Sequence, residues 1–383
     1  MGYGIITASF LLFSAVVLTV KVFLYSPISP DILELPPAVS CYIPNNDLQA
    51  AIKLGEGILK EPEDVCVDEK GILYTGTGDG WIKRLLTNGT WENWKKINDG
   101  HALLGLKFTR AGDLIVCDTE EVIFLNFLCK SELDSNKTPC MVQGLIKVSE
   151  DGEVTALATQ MNGSNIRFAN DVVEAPDGSL YFSISSTKFG LHNWISDLLE
   201  GKPYGQLLKY DPSTKETSLV LDGLWFANGV TISSDQEFLV VCETWKFRCL
   251  KYWLKEEMRG KVDIFIDNLP GMPDNIKLAP DGSFWIAILQ LTSSRLNFVH
   301  SAKVIKLLLA LVPDPALLGQ ITTDRSATAL NVGSDGRTII KRLDDPTGKV
   351  VSAVASVLEF DGNLYLGSLK NDYIGKVLLT TAV

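Results

Sequence analysis

Val172-Val173-Glu174-Ala175-Pro176-Asp177-Gly178-Ser179-Leu180-Tyr181-Phe182 is the stretch that decides the fold. An apolar pair runs into an Asp-Gly turn and out into aliphatic and aromatic residues, the pattern of a β-hairpin. The unit recurs as Val65-Cys66-Val67 with Ile72-Leu73-Tyr74, Leu106-Lys107-Phe108 with Leu114-Ile115-Val116, and Val230-Thr231-Ile232 with Phe238-Leu239-Val240. It returns as Ile276-Lys277-Leu278 with Phe284-Trp285-Ile286, and as Ser356-Val357-Leu358 with Leu364-Tyr365-Leu366. The turn residues Gly71, Gly112, Gly178, Gln236, Gly282 and Gly362 lie 41, 66, 58, 46 and 80 residues apart. A four-stranded propeller blade takes about 40–50 residues. The repeat therefore predicts an all-β six-bladed β-propeller over residues 45–383, closed by a strand near residues 48–60 that pairs with the last blade.

The longer intervals carry insertions. Residues 121–143 are 23 residues whose removal leaves a 43-residue interval, so they read as an insertion in one blade. His192–Glu200 and Ala302–Leu311 have amphipathic helical patterns, the second ending before Pro313, and are expected as short helical excursions over one face.

One register position repeats with the turns. Seven and eight residues before each turn residue stand Glu63-Asp64, Leu104-Gly105, Asn170-Asp171, Asn228-Gly229, Asp274-Asn275 and Val354-Ala355. The innermost strand of every blade lines the central channel, so equivalent positions form a ring around the axis. Carboxylates gathered there repel one another and lose hydration, and a cation relieves both costs. Glu63, Asn170, Asn228, Asp274 and Asn275 offer oxygen donors only, with two formal charges, which suits Ca²⁺ first and Mg²⁺ second. Asp64 and Asp171 are expected as supporting partners of that set or as ligands of another ion. The bland alternative is that these side chains cap inner strands and bond neighbouring loops.

The chain has 35 Lys+Arg, 46 Asp+Glu, three His and a formal net charge of -11, which argues against a nucleic-acid partner. Residues 4–20 are uncharged. Residues 1–25 are expected to be a signal anchor, with a cleaved signal peptide as the alternative, followed by a linker over 26–44. Either reading puts the propeller in the endomembrane lumen (endoplasmic reticulum or vacuole), anchored to the membrane through this segment or secreted. Asn88, Asn136 and Asn162 open N-x-[ST] sequons beside turn residues, as candidate glycan sites. Seven cysteines without a CxxC are compatible with one short-loop disulfide, for which Cys129–Cys140 is a candidate.

Arg167-Phe168-Ala169-Asn170-Asp171-Val172-Val173, Trp225-Phe226-Ala227-Asn228-Gly229-Val230 and Gly271-Met272-Pro273-Asp274-Asn275-Ile276 resemble the strictosidine synthase-like family, and more distantly the paraoxonases and gluconolactonases. The resemblance extends from about Leu48 to the end and implies a six-bladed propeller. It also implies a calcium ion held in the central tunnel by Glu63, Asn170, Asn228, Asp274 and Asn275. The Pictet–Spengler condensation of true strictosidine synthases needs a Glu on the last inner strand. This chain has Ala355 there, and Ala353 where a His precedes it. An alanine cannot shuttle a proton. The nearest carboxylate, Glu359, is four residues on. The paraoxonase-type His of the second blade aligns with Leu104, leaving His101 as the nearby candidate base, against a plain reading as a solvent-facing loop histidine.

The leading expectation is thus a luminal calcium-dependent hydrolase of small-molecule esters or lactones. A non-catalytic propeller that binds a ligand or partner is the alternative from another class, and condensation is disfavoured.

Overall fold

The computed structural model describes residues 13–14, 16–17, 20–31, 43–120, 143–255, 257–312 and 325–379. Six four-stranded antiparallel sheets form the blades of a β-propeller. Their inner strands are β1 (Val65–Val67), β2 (His101–Phe108), β3 (Ala169–Glu174), β4 (Ala227–Ile232), β5 (Gly271–Leu278) and β6 (Val354–Phe360). The strand Ile52–Leu54 pairs with Ile374–Leu378 and completes the sixth blade, which closes the ring as the sequence implied. All six turn residues adopt positive φ, and Gln236 at φ 61° does so without being glycine.

Burial explains the apolar runs. Each sheet is sandwiched between two neighbours, so a second strand such as Phe238–Glu243 is buried at every position, whereas the outer strand Glu216–Leu224 is largely exposed. A continuous apolar run here marks burial on both faces. Gly105 and Gly229 serve the same packing. A Cβ on Gly105 would lie 2.6 Å from the Asp171 Cα, and one on Gly229 would lie 2.5 Å from the Asn275 Cα, so only glycine lets adjacent inner strands approach this closely.

The second blade's connection between Leu114–Glu120 and Gly144–Val148 is where the expected insertion belongs; the insertion itself lies outside the described residues, as do Asn136 and the Cys129–Cys140 pair. The disulfide present joins Cys242 to Cys249, which face each other across adjacent strands of the fourth blade. Cys66 and Cys117 are free and buried. Asn88 and Asn162 sit on exposed turns.

Three helices cap one face. They are α1 (Trp194–Glu200), α2 (Ser294–Ser301) and α3 (Lys303–Leu309). The sequence anticipated α1 and α3, but not α2, whose N-cap Ser293 accepts a hydrogen bond from the Leu296 amide at 3.2 Å. Ile195, Leu199, Val299 and Leu307 from these helices, with Ala310 at the end of α3, share one core with Val22 and Ile28 of the N-terminal segment. Polar contacts fasten that segment as well: the Ser29 amide donates to Glu200 Oε1 at 2.8 Å, and Lys202 pairs with Asp31 at 2.9 Å. Residues 20–25 are helical, and among the described residues no helix is long and apolar enough to cross a membrane; residues 1–12 of the expected anchor lie outside them.

This lid has a built-in acid sensitivity. His300 is 1% exposed, and neither ring nitrogen makes a hydrogen bond. Burial, reinforced by the Lys306 ammonium, pushes its pKa down to about 4. A depressed imidazole pKa contributes stability above the ordinary value near 6.5 that is lost as pH falls through the folded one. Between those limits the lid is expected to lose up to about 3 kcal/mol. Hydrogen exchange in α2 and α3, corrected for intrinsic rates, should accelerate across this window, and His300→Leu should flatten the response.

Candidate functional site

Bulges in the inner strands create the site. In β3 the pairing register slips between Ala169 and Val172, in β4 between Ala227 and Val230, and in β5 between Pro273 and Ile276. A bulge sets two residues against one, so neighbouring side chains escape strict alternation. Asn170, Asn228 and Asp274 thereby line an axial chamber of about 840 Å³ together with Glu63. Asp171 instead enters the seam between blades, and Asn275 reaches the ring by donating from Nδ2 to Glu63 Oε1 at 2.8 Å.

The five residues are at most 5% exposed. Each keeps one buried oxygen without a hydrogen bond: Glu63 Oε2, Asn170 Oδ1, Asn228 Oδ1, Asp274 Oδ2 and Asn275 Oδ1. Buried polar atoms are almost always satisfied, so five orphaned oxygens in one ring require an explanation. Burial first, then the neighbouring carboxylates Asp171 and Asp64, pushes Asp274 up to about 8. Burial and then Asp274 hold Glu63 well above the carboxylate range. These are two carboxylates that resist being charged together without a cation. The donor set, oxygen only with two formal charges, fits a hard divalent ion. Among the described residues no three His, Cys, Asp or Glu side chains cluster to hold a metal, because three of the five donors here are carboxamides.

Asp64 and Asp171 are placed differently. Asp64 accepts from the Val65 amide at 2.7 Å, the Leu106 amide at 2.9 Å and Ser356 Oγ at 2.5 Å, and pairs with Lys277 Nζ at 2.8 Å. Asp171 accepts from the Val172 and Val230 amides, both at 2.8 Å. Their oxygens clip one blade to the next, which suits the expected supporting role. Lys277 supplies the positive charge at that level. Burial alone would lower its pKa, but Asp64 and Asp171 hold it above the usual lysine range.

The remaining candidates sort by place. His101 opens β2, is 6% exposed, and points Nδ1 at the Asp118 carboxylate, 2.8 Å from Oδ1 and 3.0 Å from Oδ2. It is a buried strand residue outside the chamber lining, which corrects its reading as a solvent-facing loop residue. His192, at the start of the lid, is the histidine that lines the chamber. The sequence signal was its place in the amphipathic excursion, which did not say which way that excursion folds. Leu104 and Ala353 also line the chamber. Ala355 is buried on β6, and Glu359 accepts from Trp285 Nε1 at 2.6 Å, so it does not stand in for the missing Glu. Phe168, Phe226, Trp194 and Trp245 give the chamber an aromatic wall.

Comparison with known proteins follows the same blades. The strictosidine synthase profile matches residues 170–257, and the strictosidine synthase-like N-terminal profile matches residues 42–85. The chain is 34% identical to protein strictosidine synthase-like 7 of Arabidopsis thaliana, over 89% of this chain and 84% of that one. It is 31% identical to the adipocyte plasma membrane-associated protein of Bos taurus, over 94% and 86% respectively. Its fold is similar to that of a gluconolactonase from Xanthomonas campestris, with a TM-score of 0.56 at 14% identity over 93% of this chain and 99% of that one. A luciferin-regenerating enzyme gives the same TM-score and identity over 85% and 92%. The two structural likenesses speak to fold alone. The sequence identities extend over most of both chains, and the profiles fall on the blades carrying Glu63, Asn170 and Asn228: the chain belongs to the strictosidine synthase-like family.

Proposed function

We propose that this propeller is a calcium-dependent hydrolase of esters or lactones. The observation that carries the proposal is the set of five buried oxygens without hydrogen bonds, four on residues that line the chamber and the fifth on Asn275, which is bonded to Glu63. Glu63, Asn170, Asn228, Asp274 and Asn275 would hold the ion. A bound calcium ion supplies Lewis acidity toward a carbonyl oxygen. Phe168, Phe226, Trp194 and Trp245 offer an apolar wall to the body of a small-molecule ester, with Trp194 and Ile195 contributed by α1. We assign to His192, an exposed imidazole among the residues lining the chamber, the role of taking a proton from attacking water. The gluconolactonase likeness supports a fold suited to this chemistry.

His192→Gln is expected to lower kcat by about 100-fold or more while leaving calcium affinity unchanged. Elemental analysis of the purified protein, with an aryl ester and lactone panel before and after EDTA, tests the whole reading. Turnover abolished by chelation and restored by calcium supports it; a calcium-loaded protein without turnover on the panel would favour the non-catalytic binding propeller. That alternative draws on the alanines at 353 and 355 and on the removal of His101 from the chamber.

We further propose lumenal placement with the lid face against a membrane. Val20, Phe23, Leu24 and Tyr25 of the N-terminal segment are 46–73% exposed, and Phe298, Val304 and Leu308 of the adjoining helices are 42–58% exposed. Apolar side chains on a surface helix flanked by Lys21 and Lys303 suit an interfacial position. The adipocyte plasma membrane-associated relative agrees with membrane association. Glycans on Asn88 and Asn162 belong to the same placement. Flotation with liposomes, compared between the wild type and Val304→Glu/Leu308→Glu, tests it: equal flotation would dismiss the helices as the contact.

A further inference from the structure

Two hydroxyls behind the ring make the same connection in consecutive blades. Asn170 Nδ2 donates to Ser185 Oγ at 2.9 Å, and Ser185 Oγ donates to the Ala227 carbonyl at 2.9 Å. Asn228 Nδ2 donates to Thr244 Oγ1 at 3.2 Å, and Thr244 Oγ1 donates to the Pro273 carbonyl at 2.8 Å. Ala227 immediately precedes Asn228, and Pro273 immediately precedes Asp274. The relay thus runs from one ring residue to the backbone of the next, and from that one to the third. Ser185 and Thr244 are both fully buried.

We propose that Ser185 and Thr244 are positioning residues that set the orientation of two carboxamides in the ring and thereby its affinity for a cation. The inference rests on the cation reading given above. A hydroxyl has a single proton to give. Here that proton is committed to a carbonyl of the next blade, so the oxygen can only accept. A carboxamide facing it must present its NH₂ group, which turns Oδ1 toward the channel. Both Oδ1 atoms are among the buried oxygens without a hydrogen bond. A flipped amide would instead aim two N–H groups at the axis, where they repel a positive ion. Asn275 is fixed by a different acceptor, the Glu63 carboxylate, to the same effect. Nothing in the spacing of Ser185 or Thr244 betrays this, since each sits 15 or 16 residues beyond its amide and meets it only through the hairpin.

Calcium titration calorimetry on the full chain tests the inference. Ser185→Ala and Thr244→Val should each weaken calcium binding by about 10–100-fold, the effect of losing a group that orients a metal ligand. Ser185→Thr and Thr244→Ser, which keep the hydroxyl, should stay within about threefold. The decisive comparison is in an Asn170→Asp background. Aspartate has two equivalent oxygens and needs no orienting donor count, so Ser185→Ala should cost less than about threefold there. A mere packing defect would cost the same in both backgrounds, and that result would overturn the inference. Wild-type affinity in Ser185→Ala would overturn it as well. If the wild-type chain itself takes up no calcium, the cation reading fails first and takes this inference with it.

Discussion

Asp274→Ala is expected to abolish calcium binding and hydrolysis while leaving the metal-free protein as stable as the wild type or more so. The opposite signs follow from one fact. Asp274 and Glu63 carry the two formal charges of the ring, both are 2% exposed, burial raises the cost of ionising each, and Asp274 adds to that cost for Glu63. Without a cation they are a liability, since burying a carboxyl beside another favours the protonated form. Removing Asp274 relieves that repulsion in the metal-free chain. With calcium present, the same substitution leaves one carboxylate and three amides to hold a hard dication. Affinity should fall by more than the ~100-fold upper end typical of supporting groups, and turnover to background. Differential scanning calorimetry with calcium and with EDTA reads both signs. Wild-type melting should shift upward on calcium addition and Asp274→Ala should not respond. A variant that melts lower in EDTA and still gains from calcium as the wild type does would show that Asp274 is a structural strand residue and not a ligand of the ion.

Lys277→Met is expected to be the most damaging single change to stability, at about 3–5 kcal/mol. Its ammonium pairs with Asp64 at 2.8 Å, where the carboxylate side chain is 0% exposed and also clips β1 to the amide of Leu106 and the hydroxyl of Ser356. Deleting one partner of a buried pair leaves the other charge uncompensated in a medium that cannot solvate it. Methionine preserves much of the stem's volume, so the loss isolates charge from packing. The double variant Asp64→Asn/Lys277→Met should recover part of the loss, because the amide needs no counterion and its oxygen still accepts from the Val65 amide and Ser356 Oγ, while its NH₂ group cannot accept from the Leu106 amide. Urea denaturation of the single and double variants gives the coupling directly. Equal destabilisation in both would mean that Lys277 acts through its packing alone.

The candidate site was legible in the sequence to the extent that it depended on register. Asn170, Asn228 and Asp274 stand eight residues before their turns, and a repeat that folds the same way each time must present them at the same height. What register could not convey is direction. Strict alternation would send Asn170 and Asp171 to opposite faces of a regular strand, and it is the bulge between Ala169 and Val172 that sends one into the ring and the other into the seam, where it meets the Val230 amide. The surroundings of His101 were hidden for a related reason. Its distance along the chain from Leu104 said nothing about Asp118, which comes to it from the adjacent strand of the hairpin. The disulfide was missed because Cys242 and Cys249 become neighbours only once their strands pair.

By itself, the sequence determined the six-bladed architecture, its closing strand, the two helical excursions at His192–Glu200 and Ala302–Leu311, and the oxygen character of the axial ring. All but the closing strand, which follows from the need to close the ring, are carried by spacing and residue type within single hairpins or helical runs. Tertiary structure alone decided which oxygens remain without hydrogen bonds, which carboxylates are neutralised by Lys277, and that the N-terminal segment is built into the lid through Val22 and Ile28. Those properties belong to contacts between blades and between distant segments, where orientation is set by what the neighbouring blade can accept or donate and no periodicity along the chain records it.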